Sequence, residues 1–467
     1  MLLDFPDELL LGIMSYMDVY SILSLRKTCK YLSTITRDRA LWVAIIVALG
    51  RDLPLRKICI SASSTSEIEE CAIRAVRLQG VWSSPSCAPS MRKVPPRVKQ
   101  TQSFALIDHR WLVTASHQGV NFWDLGEDAG SPIAYVVGCS TGNRVVTNLC
   151  ALPQASREYA LVAVRWESQG GERTTVFRFP MMASEVAWDR KPETVLQLRE
   201  SVGLKDVGHD FTRDLVAFSS NMHLRVIIWD SKTGYRAVLS RPEEEDDNDT
   251  WNGTLAVRFC GEYILVIRAS SFELHSLPPL QPSDPSHPGL LRPRSPERST
   301  LIASHSFGAE SFRDASVTAY VPSCSGDPVY ALVVDSQRSI RRYAMYLPHS
   351  SHAEFRVVLQ ETFVPAPRLV SEVRLGAQNR RGIWIEKSEK ATRAVMAFTL
   401  PKNSSAVRYQ GYGGGESLRI LTKDLHSREL YSSALDSVED PIDCAFDEST
   451  GRIVVSTRKG EVLILDL

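Results

Sequence analysis

No Cys-x-x-Cys pair occurs in this sequence, and its nine cysteines, an odd number, are scattered at positions such as Cys29, Cys139, Cys260 and Cys444. That pattern excludes a disulfide or zinc framework and points to reduced, mostly buried thiols. The one close histidine pair, His349 and His352, lies in a Pro/Ser loop without a second ligand pair, so neither a metal nor any other cofactor is expected. Net charge is also absent. With 54 basic against 54 acidic residues, no global field draws the chain onto nucleic acid or an acidic membrane. The longest uncharged apolar run, Ala40 to Leu49, is half of the roughly 20 residues that span a bilayer. The N-terminus carries Asp4, Asp7 and Glu8 where a signal peptide would be basic. The expectation is a cytoplasmic or nuclear protein, neither secreted nor membrane-embedded.

What is present is enough for two or three globular domains: 467 residues, 43% hydrophobic and 23% charged. From Phe5 to Trp42 the spacing predicts helices. Pro6 suits a first helical position, Asp7 and Glu8 suit a first turn, and Leu9, Leu10, Ile13, Met14 and Met17 recur at helical intervals. Asp18 is placed to cap a second helix whose stripe runs Ile22, Leu25, Cys29 and Leu32, and a third helix carries Leu41, Trp42 and Ile45 as far as Gly50. A unit of about 45 residues cannot enclose that much apolar surface by itself and should dock onto a partner.

Phe5-Pro6 opening the first helix and Leu41-Trp42 on the last resemble the F-box motif, with Phe5 where the family usually has Leu. The resemblance implies contact with a Skp-type adaptor and, through it, a cullin scaffold. The contact is expected from Phe5, Pro6, Leu9, Leu10, Ile13, Met17, Ile22, Leu25, Cys29, Leu32, Leu41 and Trp42.

Ser66 and Glu69 have capping-box spacing ahead of a helix that ends near Gly80, and residues 83–97, rich in Ser and Pro, read as an irregular connection. Beyond about residue 99 the texture is all-β. Two-strand units run from Arg110 to Leu125, Tyr159 to Phe179, Asp214 to Asp230, Glu262 to Leu277, Tyr330 to Met345, Arg381 to Leu400 and Gly451 to Leu467. The endings Trp123-Asp124, Trp229-Asp230 and Leu465-Asp466 resemble the WD-repeat signature and imply a β-propeller of about seven blades. A β-sandwich or two stacked β-domains is the alternative. Ring closure would take its last outer strand from the neighbourhood of Arg92 to Lys99.

The expected organisation is therefore α plus all-β: a three-helix F-box-like domain at 1–50, a helical and Pro/Ser-rich linker at 51–98, and a WD-repeat-like propeller at 99–467.

Catalytic motifs are poorly supported. Gly138-Cys139-Ser140-Thr141-Gly142 matches the nucleophile elbow, but the required helix after the serine is replaced by β-texture. The loop from Gln410 to Ser417 lacks the Gly-Lys-Ser/Thr ending of a phosphate-binding loop. The acidic run from Glu243 to Asp249 and the Pro-rich stretch from Leu277 to Ser299 read as solvated, disordered insertions. By the resemblance, the chain is a non-catalytic substrate receptor of a cullin-based ubiquitin ligase, its propeller holding an unidentified protein substrate. Pairing with the adaptor outside a ligase, or a propeller enzyme with a channel active site, are the competing possibilities.

Overall fold

The computed structural model describes residues 5–50, 53–55, 60–84, 88–94, 101–107, 110–116, 119–126, 135–138, 145–152, 159–168, 171–180, 193–198, 202–210, 212–220, 225–239, 252–282, 300–318, 327–336, 339–348, 354–363, 369–387, 392–400, 427–433 and 439–467. The acidic run at 243–249, the Pro-rich stretch from 283, the rest of the G-x-S-x-G string after Gly138, the 410–417 loop, and His349 and His352 fall outside them. The chain divides into two compact units. One is Met1–Ser90 with Asp447–Arg452 and Asp466–Leu467, and the other is Met91–Phe446 with Ile453–Leu465.

Among the described residues of the first unit are five helices: α1 (Asp7–Met14), α2 (Val19–Arg26), α3 (Lys30–Ile35), α4 (Arg39–Gly50) and α5 (Thr65–Ser83). Pro6 stands one residue before α1, and its carbonyl accepts from the amides of Leu9 and Leu10. Asp18 caps α2 by accepting from the Ser21 amide at 2.9 Å. The predicted second helix is in fact two. The amides of Lys27 and Thr28 fall back to carbonyls three residues earlier, the Thr28 hydroxyl takes the Leu25 carbonyl, and Cys29 is extended at φ −155°. This local competition ends α2 before the apolar stripe does. The capping box also shifts: Ser64 and Glu67 form it, not Ser66 and Glu69, and α5 runs on to Ser83.

Twenty-eight strands, counted over the described residues, form seven four-stranded sheets. The first blade is β2 (Thr101–Ile107), β3 (Trp111–Ser116), β4 (Gly119–Asp124) and β5 (Tyr135–Gly138), and the second is β6 (Val145–Leu152), β7 (Tyr159–Ser168), β8 (Gly171–Pro180) and β9 (Glu193–Leu198). The third is β10 (Val202–Asp210), β11 (Leu215–Ser220), β12 (Val226–Asp230) and β13 (Arg236–Leu239), and the fourth β14 (Thr254–Cys260), β15 (Tyr263–Arg268), β16 (Ser271–Ser276) and β17 (Leu301–Ser306). The fifth is β18 (Phe312–Val317), β19 (Val329–Asp335), β20 (Ile340–Tyr346) and β21 (Arg356–Phe363), and the sixth β22 (Leu369–Leu375), β23 (Arg381–Lys387), β24 (Arg393–Thr399) and β25 (Ser427–Ser432). The seventh joins β26 (Pro441–Asp447), β27 (Arg452–Thr457) and β28 (Val462–Asp466) to β1 (Ser90–Lys93) from the other end of the chain.

Each of the seven two-strand units predicted from sequence is the middle pair of a blade. These pairs are legible because both their faces are buried between neighbouring blades, which demands continuous Val, Ile, Leu and Ala, as in Leu161–Val164 and Leu265–Ile267. Adjacent blades interlock through apolar clusters, such as Trp111, Phe122 and Phe179 between blades one and two, and Phe272, Phe312 and Tyr343 between blades four and five. Phe104, Leu112 and Trp123 of the first blade pack on Val454, Val462 and Ile464 of the seventh, closing the ring. The closing strand β1 lies inside the segment read as an irregular connection; its neighbour Val94 donates its amide to the Val462 carbonyl at 2.9 Å.

The Trp-Asp endings have structural duties. Trp123 donates its indole N–H to the Thr114 hydroxyl at 2.9 Å. Trp229 occupies the same place in blade three, but the register puts Phe218 where Thr114 stands. Its buried Nε1 therefore has no hydrogen-bond partner among the described residues. Asp124 accepts both Nε and Nη2 of Arg110, and Asp466 accepts Arg452 Nε. Asp230, facing Asp214 instead of an arginine, turns back onto Lys232 and Thr233. The Thr114→Val variant keeps the shape of the side chain but orphans the Trp123 N–H, and should lower propeller stability by about 1–3 kcal/mol in thermal unfolding.

Candidate functional site

The helical unit has a core of its own. Leu10, Met14, Val19, Ile22, Leu32, Ile35, Leu41, Trp42, Ile45, Ile46, Ile68 and Ala72 form one buried cluster, the last two supplied by α5. Trp42 is completely enclosed and donates Nε1–H to the Thr36 carbonyl at 2.9 Å. The Arg26 guanidinium lies 5.7 Å from its ring centroid. That guanidinium also binds Glu69 of α5 at 2.6 and 3.1 Å and the Thr36 carbonyl at 2.9 Å. One arginine thus ties α2, the turn before α4, and α5, where Glu69 lies past the capping position that Ser64 and Glu67 occupy.

The expected contact residues separate into three groups. Leu10, Ile22, Leu32, Leu41 and Trp42 are interior in the chain by itself. Met17, Leu25 and Cys29 are half-buried against the same cluster. Phe5, Leu9 and Ile13 are the outward stripe, 46%, 55% and 54% exposed, and Pro6 is exposed beside them. Helical geometry explains the split: Leu10 and Met14 lie one turn apart on the inner face of α1, Leu9 and Ile13 lie one turn apart on a face rotated by about 100° from it, and Phe5 stands just ahead of the helix. Tyr16 and Tyr20 are also exposed, at 93% and 52%. They extend the 4-4-3-4 spacing of apolar residues past the end of α1, a signal that was present in the sequence but interrupted by the turn before Asp18.

The electrostatics of this unit are local. The Tyr31 hydroxyl donates to Asp7 at 2.6 Å, tying the first turn of α3 to that of α1, and this bond raises the Tyr31 pKa. Hydrogen bonds from Ser21 hold the Asp18 carboxyl below its usual range.

In the propeller, the first strands of neighbouring blades lie against one another, and their polar residues brace the ring. The pairings of β2 with β3, β6 with β7, β18 with β19 and β22 with β23 all carry a register shift in the first strand. Residues just beyond these bulges reach the next blade. The Leu149 amide donates to Ser103 at 3.2 Å, and the Val373 amide to Asp314 at 3.0 Å. Arg258 donates to the carbonyls of Val207 and Val317 on either side. Arg374 meets Glu372 at 3.0 Å, Asp443 at 3.3 Å and Asp314 at 3.9 Å. Burial works against the Arg374 charge, but these carboxylates outweigh it and raise its pKa further.

A second buried network lies in blade four: Arg268 donates to Glu273 at 2.7 Å, and His275 Nε2 lies 3.2 Å from the same carboxylate oxygen. Burial alone would raise the Glu273 pKa; His275 and Arg268 override it and bring it down to about 2. The guanidinium, carboxylate and imidazole thus form one buried hydrogen-bonded network within the blade. Among the described residues, no group of three or more His, Cys, Asp or Glu side chains is arranged to hold a metal ion. Asn252 uses its side-chain oxygen to accept from the Ser270 amide at 2.9 Å.

Comparison with known proteins bears on both units. Residues 2–47 match the F-box-like family model. No curated protein matches the chain. Among solved structures, the β-propeller domain of Cps50 (Swd1) from Myceliophteria thermophila is similar at 13% identity and a TM-score of 0.51, covering 80% of this chain and 99% of that one. At this identity the likeness concerns the fold. The WD40 β-propeller domain of Doa1 matches at 12% identity and a TM-score of 0.43, covering 81% and 96% of the two chains. Raptor from Chaetomium thermophilum matches at 10% identity and a TM-score of 0.49, covering 95% of this chain and 35% of that one.

Proposed function

We propose that this chain, an F-box-like domain followed by a seven-bladed β-propeller, is the substrate receptor of a cullin-based ubiquitin ligase. The F-box-like helices hold a Skp-type adaptor, the adaptor joins the cullin scaffold, and the propeller holds a protein substrate. The protein itself is non-catalytic; its contribution is proximity between a bound substrate and a transferase carried by other subunits. This places its work in the cytoplasm, the nucleus or both.

The observation that carries the reading is the two-faced first helix within the matched residues. The inner face of α1 is committed to the unit's own core, and Phe5, Pro6, Leu9 and Ile13 remain outside as a surface for the adaptor. Central apolar residues at such interfaces contribute about 2 kcal/mol or more each. The double variant L9A/I13A should therefore weaken adaptor binding about a thousandfold, with circular dichroism unchanged because neither residue is interior. Titration against a purified Skp-type adaptor measures this, and wild-type affinity in the double variant would overturn the proposed contact. Co-purification of a cullin with the intact protein separates a ligase subunit from an adaptor-only complex.

A further inference from the structure

Lysine is scarce in this chain: 13 lysines and 41 arginines make up its 54 basic residues. Between Lys232 and Lys387 lie 154 residues with no lysine and 16 arginines. That interval contains all of blades four and five.

Part of the bias is structural. Arg258 divides its fork between carbonyls on two neighbouring blades, Arg268 bonds Glu273 and Thr254, and Arg374 spans three carboxylates. A single ammonium could not reproduce those contacts. The reason does not extend to Arg313 on β18 or Arg356 at the start of β21, both of which are exposed. Arg356 lies 4.5 Å over the Tyr346 ring, a position that also attracts an ammonium. Lysine would keep the charge at either place, yet arginine stands there.

Three propeller lysines outside this interval have carboxylates beside them. Lys93 and Lys459 meet Glu461 at 3.2 and 3.4 Å, and Lys232 meets Asp214 at 2.5 Å. Hydrogen bonding to these carboxylates raises the pKa of Lys93 and Lys232, which keeps their amines protonated.

The two cations differ in one reaction that matters for a ubiquitin ligase. A deprotonated lysine amine attacks the thioester carbonyl that joins the C-terminal glycine of ubiquitin to the cysteine of a conjugating enzyme. The C–N bond of the isopeptide forms, the C–S bond breaks, the cysteine leaves as thiolate, and the amine's surplus proton returns to it through solvent. Arginine, with a pKa above about 12, stays protonated and does not enter this reaction. Resting on the receptor reading above, we propose that arginine replaces lysine across residues 233–386 so that the receptor is spared the transfer it directs onto its substrate.

The test uses the full-length chain assembled with a Skp-type adaptor, cullin, RING subunit, activating and conjugating enzymes, ubiquitin and ATP. A short lysine-bearing peptide is fused to the C-terminus of every variant. Conjugation sites are read by mass spectrometry in the parent protein and in R313K/R356K, with circular dichroism confirming that both are folded. The expected result is ubiquitin at the fused peptide in both proteins, and at positions 313 and 356 in the variant, with total self-modification within the native sequence several-fold above the parent. A modified peptide with unmodified Lys at 313 and 356, or equal native-sequence modification of parent and variant, overturns the proposal and leaves the receptor reading standing. An unmodified peptide in both proteins overturns the receptor reading and the proposal with it.

Discussion

Removal of Glu461–Leu467 is expected to leave the propeller unfolded or insoluble. The segment contains β28, and Val462, Leu463, Ile464 and Leu465 are each no more than 3% exposed. Deleting a large buried side chain costs about 2–5 kcal/mol, so four together approach or exceed the roughly 5–15 kcal/mol that separates a folded domain from its unfolded chain. The loss is larger than the side chains alone. β28 stands between β27 and β1 in its sheet, so without it β1 has no neighbour and β27 presents an open edge, a template for association. Val462 and Ile464 also pack on Leu112 and Trp123 of the first blade, so the junction that closes the ring is lost as well. Solubility and thermal unfolding of the truncated chain test this. A soluble protein with an unchanged melting temperature would show that the ring does not depend on its closing strand.

Trp42→Ala is the second large expected effect, and it separates two roles that the sequence alone assigns to the same residue. Read as a surface contact, Trp42 should be removable without harm to the fold. Read from its position, it is fully enclosed between Thr36, Arg26 and the α1–α5 cluster. Truncation should cost about 3–5 kcal/mol and, in a unit this small, remove most of its helical signal. Trp42→Phe keeps most of the volume and loses only the indole N–H. The Thr36 carbonyl still accepts from Arg26 in that variant, so its cost should be near 1 kcal/mol. Helical circular dichroism and limited proteolysis of the two variants measure the difference. Intact helices in the alanine variant combined with lost adaptor binding would return Trp42 to the contact surface.

Much of the architecture is determined by the sequence alone because the physical demand is local. A strand buried on both faces must be apolar at every position, so the middle pair of each blade is visible without reference to any other blade, as in Ile453–Val455 and Val462–Leu465. Asp18 and the apolar rhythm of α1 are equally local, since a cap and a helical face involve residues three or four apart. The F-box resemblance rests on short-range features of the same kind, Phe5-Pro6 and Leu41-Trp42.

Tertiary structure alone decided everything that depends on distant partners. β1, with the sequence Ser-Met-Arg-Lys, has no apolar alternation because it is an exposed outer strand; only its pairing with β28, more than 360 residues away, makes it a strand. Leu9 and Leu10 are indistinguishable as letters, and the packing of the other helices makes one a surface residue and the other core. Ser66 and Glu69 fit a capping box by spacing, but the helix begins at Ser64 and Glu69 instead binds Arg26 of another helix. Trp123 and Trp229 carry the same Trp-Asp signature, yet one indole is satisfied and the other is not, because the deciding residue, Thr114 or Phe218, lies on the neighbouring strand. In each case the sequence specifies which groups need a partner, and the fold, by bringing remote segments within bonding distance, selects it.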